Sequence, residues 1–525
     1  MSNNVSILER SELIKSKKTS YKLKDEIIIG KDILELLCNA MYVEPLTIYR
    51  EYLQNSADSI DQGIKDGLLE NHDKGRVDIK IDSINRIVTI RDNGVGLLNK
   101  DFEKRMTAFG ASNKRDTDAR GFRGVGRLSG IAYCRELIFR AKSKEDSKVL
   151  QLSWDCKKIK SILLDPKYAG DLSDVVNDVV TISSITAENY PDHFFEVELR
   201  NIIKHKKDSL IDPETITHYI AQVAPVPFSP TFSYAEKITK SLRDHIAMAN
   251  MNVFIDDRIS PVYRLHQDQF KISETIQDSF KGELECFTIP NVSGEVGAVG
   301  WILHHNYLGA ISTNTGIKGF RVRSGNIQVG EDNLLDEIFL ETRFNSWTVA
   351  EVHVIDKNIK PNGRRDNFEQ NIHFLNMINH LAVKGREISK NCRKSSILRN
   401  KIKEFEIEER KIFEKISFLK QQSLPKKSNA EIECYIKDSL QKLQNLTNSD
   451  FIQDEDKNRL FKRVSFVQNE MNLDFSSSND PLENLPKPKK EIYKEVFGLV
   501  YECSVNPKVA KDLIDRIIFR ISPTS

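Results

Sequence analysis

No cysteine in this chain has a partner at C-x-x-C spacing. The seven cysteines fall at positions 38, 134, 156, 286, 392, 434 and 503. Odd in number and scattered, they exclude a zinc site and a disulfide framework and imply free thiols in a reducing compartment. Charge of one sign is also missing: 78 Lys and Arg face 76 Asp and Glu, a net of +2, which argues neither for nor against a nucleic-acid partner. There is no membrane-length apolar run. The longest uncharged stretch, 296–317, carries two His and four Gly, and hydrocarbon would not tolerate it as a spanning helix. Behind the basic residues of MSNNVSILERSELIKSKK no apolar core follows, so no signal peptide is expected. The expectation is a cytoplasmic protein without a membrane partner.

What is present is length, 525 residues, enough for three or four units. Residues 1–25 are polar and basic, an N-terminal arm. From 26 to 228 helices and strands mix. Ile48 to Ile60 places Leu53, Ala57 and Ile60 at helical spacing. Val77–Ile81 and Arg86–Ile90 alternate around a short turn, which predicts a hairpin ending at Asp92-Asn93-Gly94. The prolines of Ala224-Pro-Val-Pro-Phe-Ser-Pro230 predict a boundary. Residues 231–375 read as a second α/β unit, with strands at Asn252–Ile255 and Glu351–Ile355. Residues 380–445 carry little glycine, become Lys/Glu-rich and set Ile402, Phe405, Ile412, Ile416 and Leu419 at helical spacings, which predicts long helices of coiled-coil character over 380–475. A linker at 476–489 and a helical piece at 490–525 complete the chain.

Three segments carry chemistry. In Glu51-Tyr-Leu-Gln-Asn55-Ser-Ala-Asp58, a pitch of 3.6 residues puts Glu51, Asn55 and Asp58 within about 60° of one another on one helix face. Two carboxylates and an amide there can hold a hydrated cation and orient a water. Asp92-Asn-Gly94-Val-Gly96 ends a strand with glycines that let backbone approach a ligand, beside a carboxylate able to accept from an exocyclic amine. Gly121-Phe-Arg-Gly124-Val125-Gly126-Arg-Leu-Ser129 offers glycine amides to phosphate, and an apolar helical run is expected from Ile131. Upstream, Ser112 and Lys114 add a hydroxyl and an ammonium. Each segment alone has an ordinary reading as a solvated face, a turn or a loop. All three in this order do not.

Taken together they resemble the ATP-binding (Bergerat) fold shared by gyrase, HtpG-type chaperones, histidine kinases and MutL, the GHKL superfamily. The resemblance implies an α+β chain: an α/β sandwich, an α/β transducer unit, then helices. It implies that Glu51 is the general base, Asn55 the Mg²⁺ ligand, and Asp92 the adenine reader, with Gly94 and Gly96 beside the base. Asp58 would also line the site. Ser112, Lys114 and the amides of Gly121, Gly124, Val125 and Gly126 would cover the phosphates, and Thr181 would support an adenine-side water. Lys360-Pro-Asn-Gly-Arg364-Arg365 is similar to a transducer loop that sends a cation to the γ-phosphate, with Lys360 the first choice and Arg364 or Arg365 the others. The architecture is nearest HtpG-like and MORC-like ATPases. It implies a slow, Mg²⁺-dependent ATPase working as a homodimeric clamp on DNA or a partner complex in prokaryotic antiviral defence. A protein chaperone and an ATP sensor with negligible turnover are the alternatives.

Overall fold

The computed structural model describes residues 29–35, 44–108, 120, 126–204, 207–421, 424, 426–449, 454–472 and 481–521. The expected arm at 1–25 and the expected phosphate-covering residues Ser112, Lys114, Gly121, Gly124 and Val125 lie outside them. Two sheets and a helical end make up the rest. The first sheet has seven strands: β1 (Arg76–Asp82), β2 (Ile87–Asp92), β3 (Glu136–Lys142), β4 (Val149–Asp155), β5 (Val180–Ile185), β6 (Phe194–Arg200) and β7 (Asn252–Ile255), in the order β5-β4-β3-β6-β2-β1-β7. The hairpin forms as its alternation requires, with Val77 opposite Asp92 and Ile79 opposite Ile90. One face of this sheet is apolar through Ile79, Ile90, Val197 and Leu199, and helices cover it. The layer includes α1 (Thr47–Lys65), α2 (Asn99–Thr107), α3 (Cys156–Leu164), α4 (Leu172–Val179) and α5 (Pro213–Val223). The other face carries a charge ladder, in which Arg140 of β3 reaches Glu196 and Glu198 of β6.

Two expectations change here. Strand β7 was placed in the second unit, yet it pairs parallel to β1, Arg76 opposite Asn252. The proline cluster therefore does not end the first sheet: the chain leaves through α6 (Ala235–Leu242), which packs in a separate core with Phe232 and Trp301, and returns. The apolar run from Ile131 does not continue as an α-helix either. Gly126–Ala132 is a 3₁₀ helix, and the chain then enters β3.

The second sheet runs β12-β11-β13-β10-β9-β8, from β8 (Gln269–Lys271), β9 (Gln277–Pro290), β10 (Val296–His305), β11 (Gly319–Ser324), β12 (Ile327–Val329) and β13 (Val349–Val354). The 50-residue helix α7 (Ile372–Gln421) packs Phe374, Met377, Leu381, Ile388 and Cys392 against it. Its distal half enters a third core with α8 (Lys426–Thr447), α9 (Asp454–Asn472), α10 (Lys487–Cys503) and α11 (Pro507–Ile521). Phe405, Ile412, Ile416 and Leu419, expected at a coiled-coil seam, are buried inside this one chain instead. The six described cysteines are free thiols.

Candidate functional site

Helix α1 is the spine of the site. The chain enters it through a turn whose carbonyls, Glu44 to Leu46, accept the amides of Thr47 to Tyr49, which satisfies donors that a helix start leaves unpaired. Tyr49, Leu53, Ala57 and Ile60 sink completely into the first core. That fixes the rotation of the helix, so Glu51, Asn55 and Asp58 share the opposite face. Asn55 is half-buried; Glu51 and Asp58 are buried.

At the N-terminal end of α1, the Glu51 carboxylate is enclosed. A Cβ added at residue 126 would lie 2.4 Å from Glu51 Oε2, so glycine lets the 3₁₀ segment come this close without displacing the carboxylate. Tyr52 locks the same segment by donating to the Arg127 carbonyl at 3.2 Å and accepting from the Gly130 amide at 3.1 Å. On the other side Arg365 Nε stands 3.3 Å, and Arg50 Nε 3.8 Å, from Glu51 Oε1. Arg50 also donates to the Arg364 carbonyl at 2.9 Å, which pins the 360–368 loop to the helix.

Near the other end of α1, Asp92 closes β2, 3% exposed, and accepts the Gly94 amide at 3.0 Å. Val95 donates to the Ser59 carbonyl at 3.3 Å, seating the loop on the helix, and His193 contacts the Gly94 carbonyl at 2.6 Å. Gly96 has φ +67, and a Cβ there would meet the Lys142 carbonyl oxygen at 2.0 Å. From Glu51 to Ser59 the helix rises about 12 Å at 1.5 Å per residue. The two ends are thus spaced for an elongated ligand, with the buried Asp92 carboxylate at one and the enclosed Glu51 carboxylate at the other.

Not every expected residue joins this arrangement. Thr181 is exposed on β5, the sheet edge, and three strands separate it from β2, so the structure does not bring it to Asp92. The strands beside Asp92 are β1 and β6, with Val77 and Phe195 opposite it. Lys360 is exposed, and it is Arg365, two turn residues beyond Pro361-Asn362-Gly363, that reaches Glu51. Asp58 is engaged by Arg120 rather than poised for a cation: its Oδ1 accepts the Arg120 amide at 3.0 Å and Nη1 at 3.2 Å. Arg127 follows Gly126 in this segment. Its guanidinium donates to the Ala108 carbonyl, its buried Nε has no partner among the described residues, and burial, then the nearby Arg105, push it down to about 10. A largely desolvated cation with no counter-ion among the described residues is costly and favours an arriving anion.

An enclosed glutamate on a helix that packs under a D-x-G-x-G strand end and a glycine-rich segment defines a class, the GHKL nucleotide-binding domain. Residues 47–180 match the family model described as histidine kinase-, DNA gyrase B-, and HSP90-like ATPase, and this part of the chain is a domain of that superfamily. The chain is similar to the chaperone protein HtpG of Fusobacterium nucleatum, 30% identical over 130 residues, 22% of this chain and 21% of that protein. It is 24% identical to HtpG of Clostridium acetobutylicum over 199 residues, 35% of this chain and 31% of that protein. HtpG of Clostridium botulinum (strain Hall) matches at 24% over 203 residues. The chain thus spans less than a third of the length of these relatives.

Proposed function

We propose that this protein binds and hydrolyses ATP at the α1 site and couples the reaction to movement of the second sheet. The observation that carries the reading is the enclosure of Glu51, held between Gly126 and Arg365, a group of a different unit. In the proposed reaction a water oxygen bonds to the γ-phosphorus while the bond to the β,γ-bridging oxygen breaks, and Glu51 takes the water proton. Arg365 orients the carboxylate and neutralises charge developing on the γ-phosphoryl oxygens; Arg127 offers a second cation. Asp92 accepts from the adenine amine. Among the described residues no group of three His, Cys, Asp or Glu could hold a metal. One neutral amide oxygen, Asn55, with the phosphates supplying the rest, suits Mg²⁺, which is commonly held by few protein ligands plus phosphate. Asn55 would hold the ion, which would supply positive charge to offset that of the phosphates.

The likeness to HtpG supports a protein client for this machine. The expectation of nucleic acid or a defence complex draws no support from a chain of balanced charge. Exposed Ile492, Val496 and Leu499 on α10 and Val509 and Leu513 on α11 support pairing of two chains through the helical end. Calorimetry tests the ligand. Wild-type protein should bind ATP with Mg²⁺, and Asp92→Asn, which turns an acceptor-only group into one that also presents donors, should weaken binding at least tenfold while staying folded. Unchanged affinity would move the adenine site elsewhere.

A further inference from the structure

Arg120 is bonded to both units of the molecule. Its guanidinium is 8% exposed and donates to Asp58 Oδ1 at 3.2 Å and Asp61 Oδ2 at 2.6 Å, both on α1. Its Nε donates to the Gly325 carbonyl at 2.5 Å, in the turn between β11 and β12 of the second sheet. That turn is shaped around it: Gly325 has φ +56, and a Cβ there would lie 2.6 Å from Arg120 Cγ. The backbone carbonyl of Arg120 accepts Arg365 Nη2 at 3.0 Å. One guanidinium, that of Arg365, therefore holds Arg120 with one nitrogen and Glu51 with another.

Behind this contact the polar chain continues inward. Asp61 meets Asn250 at 3.4 Å, Asn250 accepts from Asn326 at 3.2 Å, and Asn326 accepts from Arg264 at 2.8 Å. Arg264 and Arg323 share the buried Glu351 at 2.6 and 2.8 Å, and Arg323 donates to the Gln222 carbonyl of α5 at 2.7 Å. Surface ion pairs slide cheaply. A mutually satisfied network that is buried from Asn250 inward does not, because breaking one member leaves others buried and unpaired. Such a network holds the second sheet in a discrete position on α1.

We propose that Arg120 is a positioning residue for the hydrolysis: it fixes the second sheet against α1 and thereby sets how Arg365 meets Glu51. The proposal rests on the ATPase reading above for its catalytic consequence, but not for the coupling itself. A lysine in its place would keep the charge beside Asp58 and Asp61. It lacks the planar fork that reaches Gly325 in the same pose.

The test uses full-length protein carrying Arg120→Ala, Arg120→Lys, Arg365→Ala and the Arg120→Ala/Arg365→Ala double change. Steady-state turnover, ADP affinity by calorimetry and hydrogen exchange are read for each. Both Arg120 variants should lower kcat by about 10- to 100-fold, the loss expected of a small misplacement, with ADP affinity within threefold of wild type. The double variant should be no slower than Arg365→Ala alone, since the two residues act as one unit. Exchange should rise in 319–329 and 360–368 and stay unchanged in α8. A kcat within twofold of wild type, or multiplicative losses in the double variant, would overturn the proposal. If wild-type protein shows no turnover, the ATPase reading fails and exchange alone decides: a rise confined to those two segments supports the coupling, and no rise overturns it. Arg120→Lys serves where Arg120→Ala does not fold.

Discussion

Arg365 occupies the left-handed region, φ +57, where a residue with a Cβ costs roughly 1 kcal/mol or more. The conformation is held from several sides. Its amide donates to the Asn362 carbonyl, and its own carbonyl accepts from the Gly330 amide at 2.8 Å and Arg50 at 3.4 Å. The strained backbone turns the guanidinium inward to Glu51, while Lys360 and Arg364 stay exposed. We therefore expect Arg365→Ala to lower ATP turnover about 100-fold, and Lys360→Ala to leave it within twofold, in a coupled-enzyme assay. The reverse ranking would return the γ-phosphate role to Lys360. The sequence showed that a basic loop lay here but not which cation points inward, because a turn's direction depends on φ at single residues and not on spacing. The same limit hid Arg120, an arginine in a glycine-rich stretch whose partners, Asp58 and Gly325, are 62 and 205 residues away.

Among the elements, α1 and the β1–β2 hairpin were legible because their apolar periods of 3.6 and 2 are unbroken. The stretch after Gly126 was not. Leu128 and Ile131, three residues apart, suit an α-helix and a 3₁₀ helix alike, and the turn at Tyr133–Arg135 that starts β3 carries no glycine or proline. β7 was legible as a strand but not as a member of the first sheet, since a parallel partner some 170 residues away leaves no local mark. The edge position of Thr181 left no local mark either. The core around α6 has a titratable element of its own. His266 sits against Phe228, Phe232 and Trp301, and burial lowers its pKa from 6.5 to about 3. In the unfolded chain the ring takes a proton below about pH 6.5 and in the folded chain it does not, so stability falls as pH drops from 6.5 towards 3. The slope is up to about 1.4 kcal/mol per pH unit. Denaturant midpoints at pH 7 and pH 5 should show wild type losing up to about 2 kcal/mol more than His266→Phe. Equal losses would mean that His266 is protonated in the native core.

Across the whole molecule, α7 is the connecting part, since one helix contributes to the second core through Cys392 and to the third from Phe405. A cut at residue 380 would remove side chains that the second sheet needs. A cut after Asn400 spares them, and keeps the Arg399 bond to the Tyr307 carbonyl. If the helical end pairs two chains, full-length protein should sediment as a dimer and the 1–400 fragment as a nucleotide-binding monomer. A monomeric full-length protein at micromolar concentration, with a non-hydrolysable ATP analogue bound, would remove the clamp and leave the site intact. The account as a whole depends on Glu51. Its most direct test is phosphate release from Mg·ATP by full-length wild type and Glu51→Ala, with ATP affinity measured on the same samples. Glu51→Ala should bind ATP within about threefold of wild type and turn over at least about 100-fold more slowly, as removal of a positioned base requires. Turnover within twofold of wild type would contradict the account.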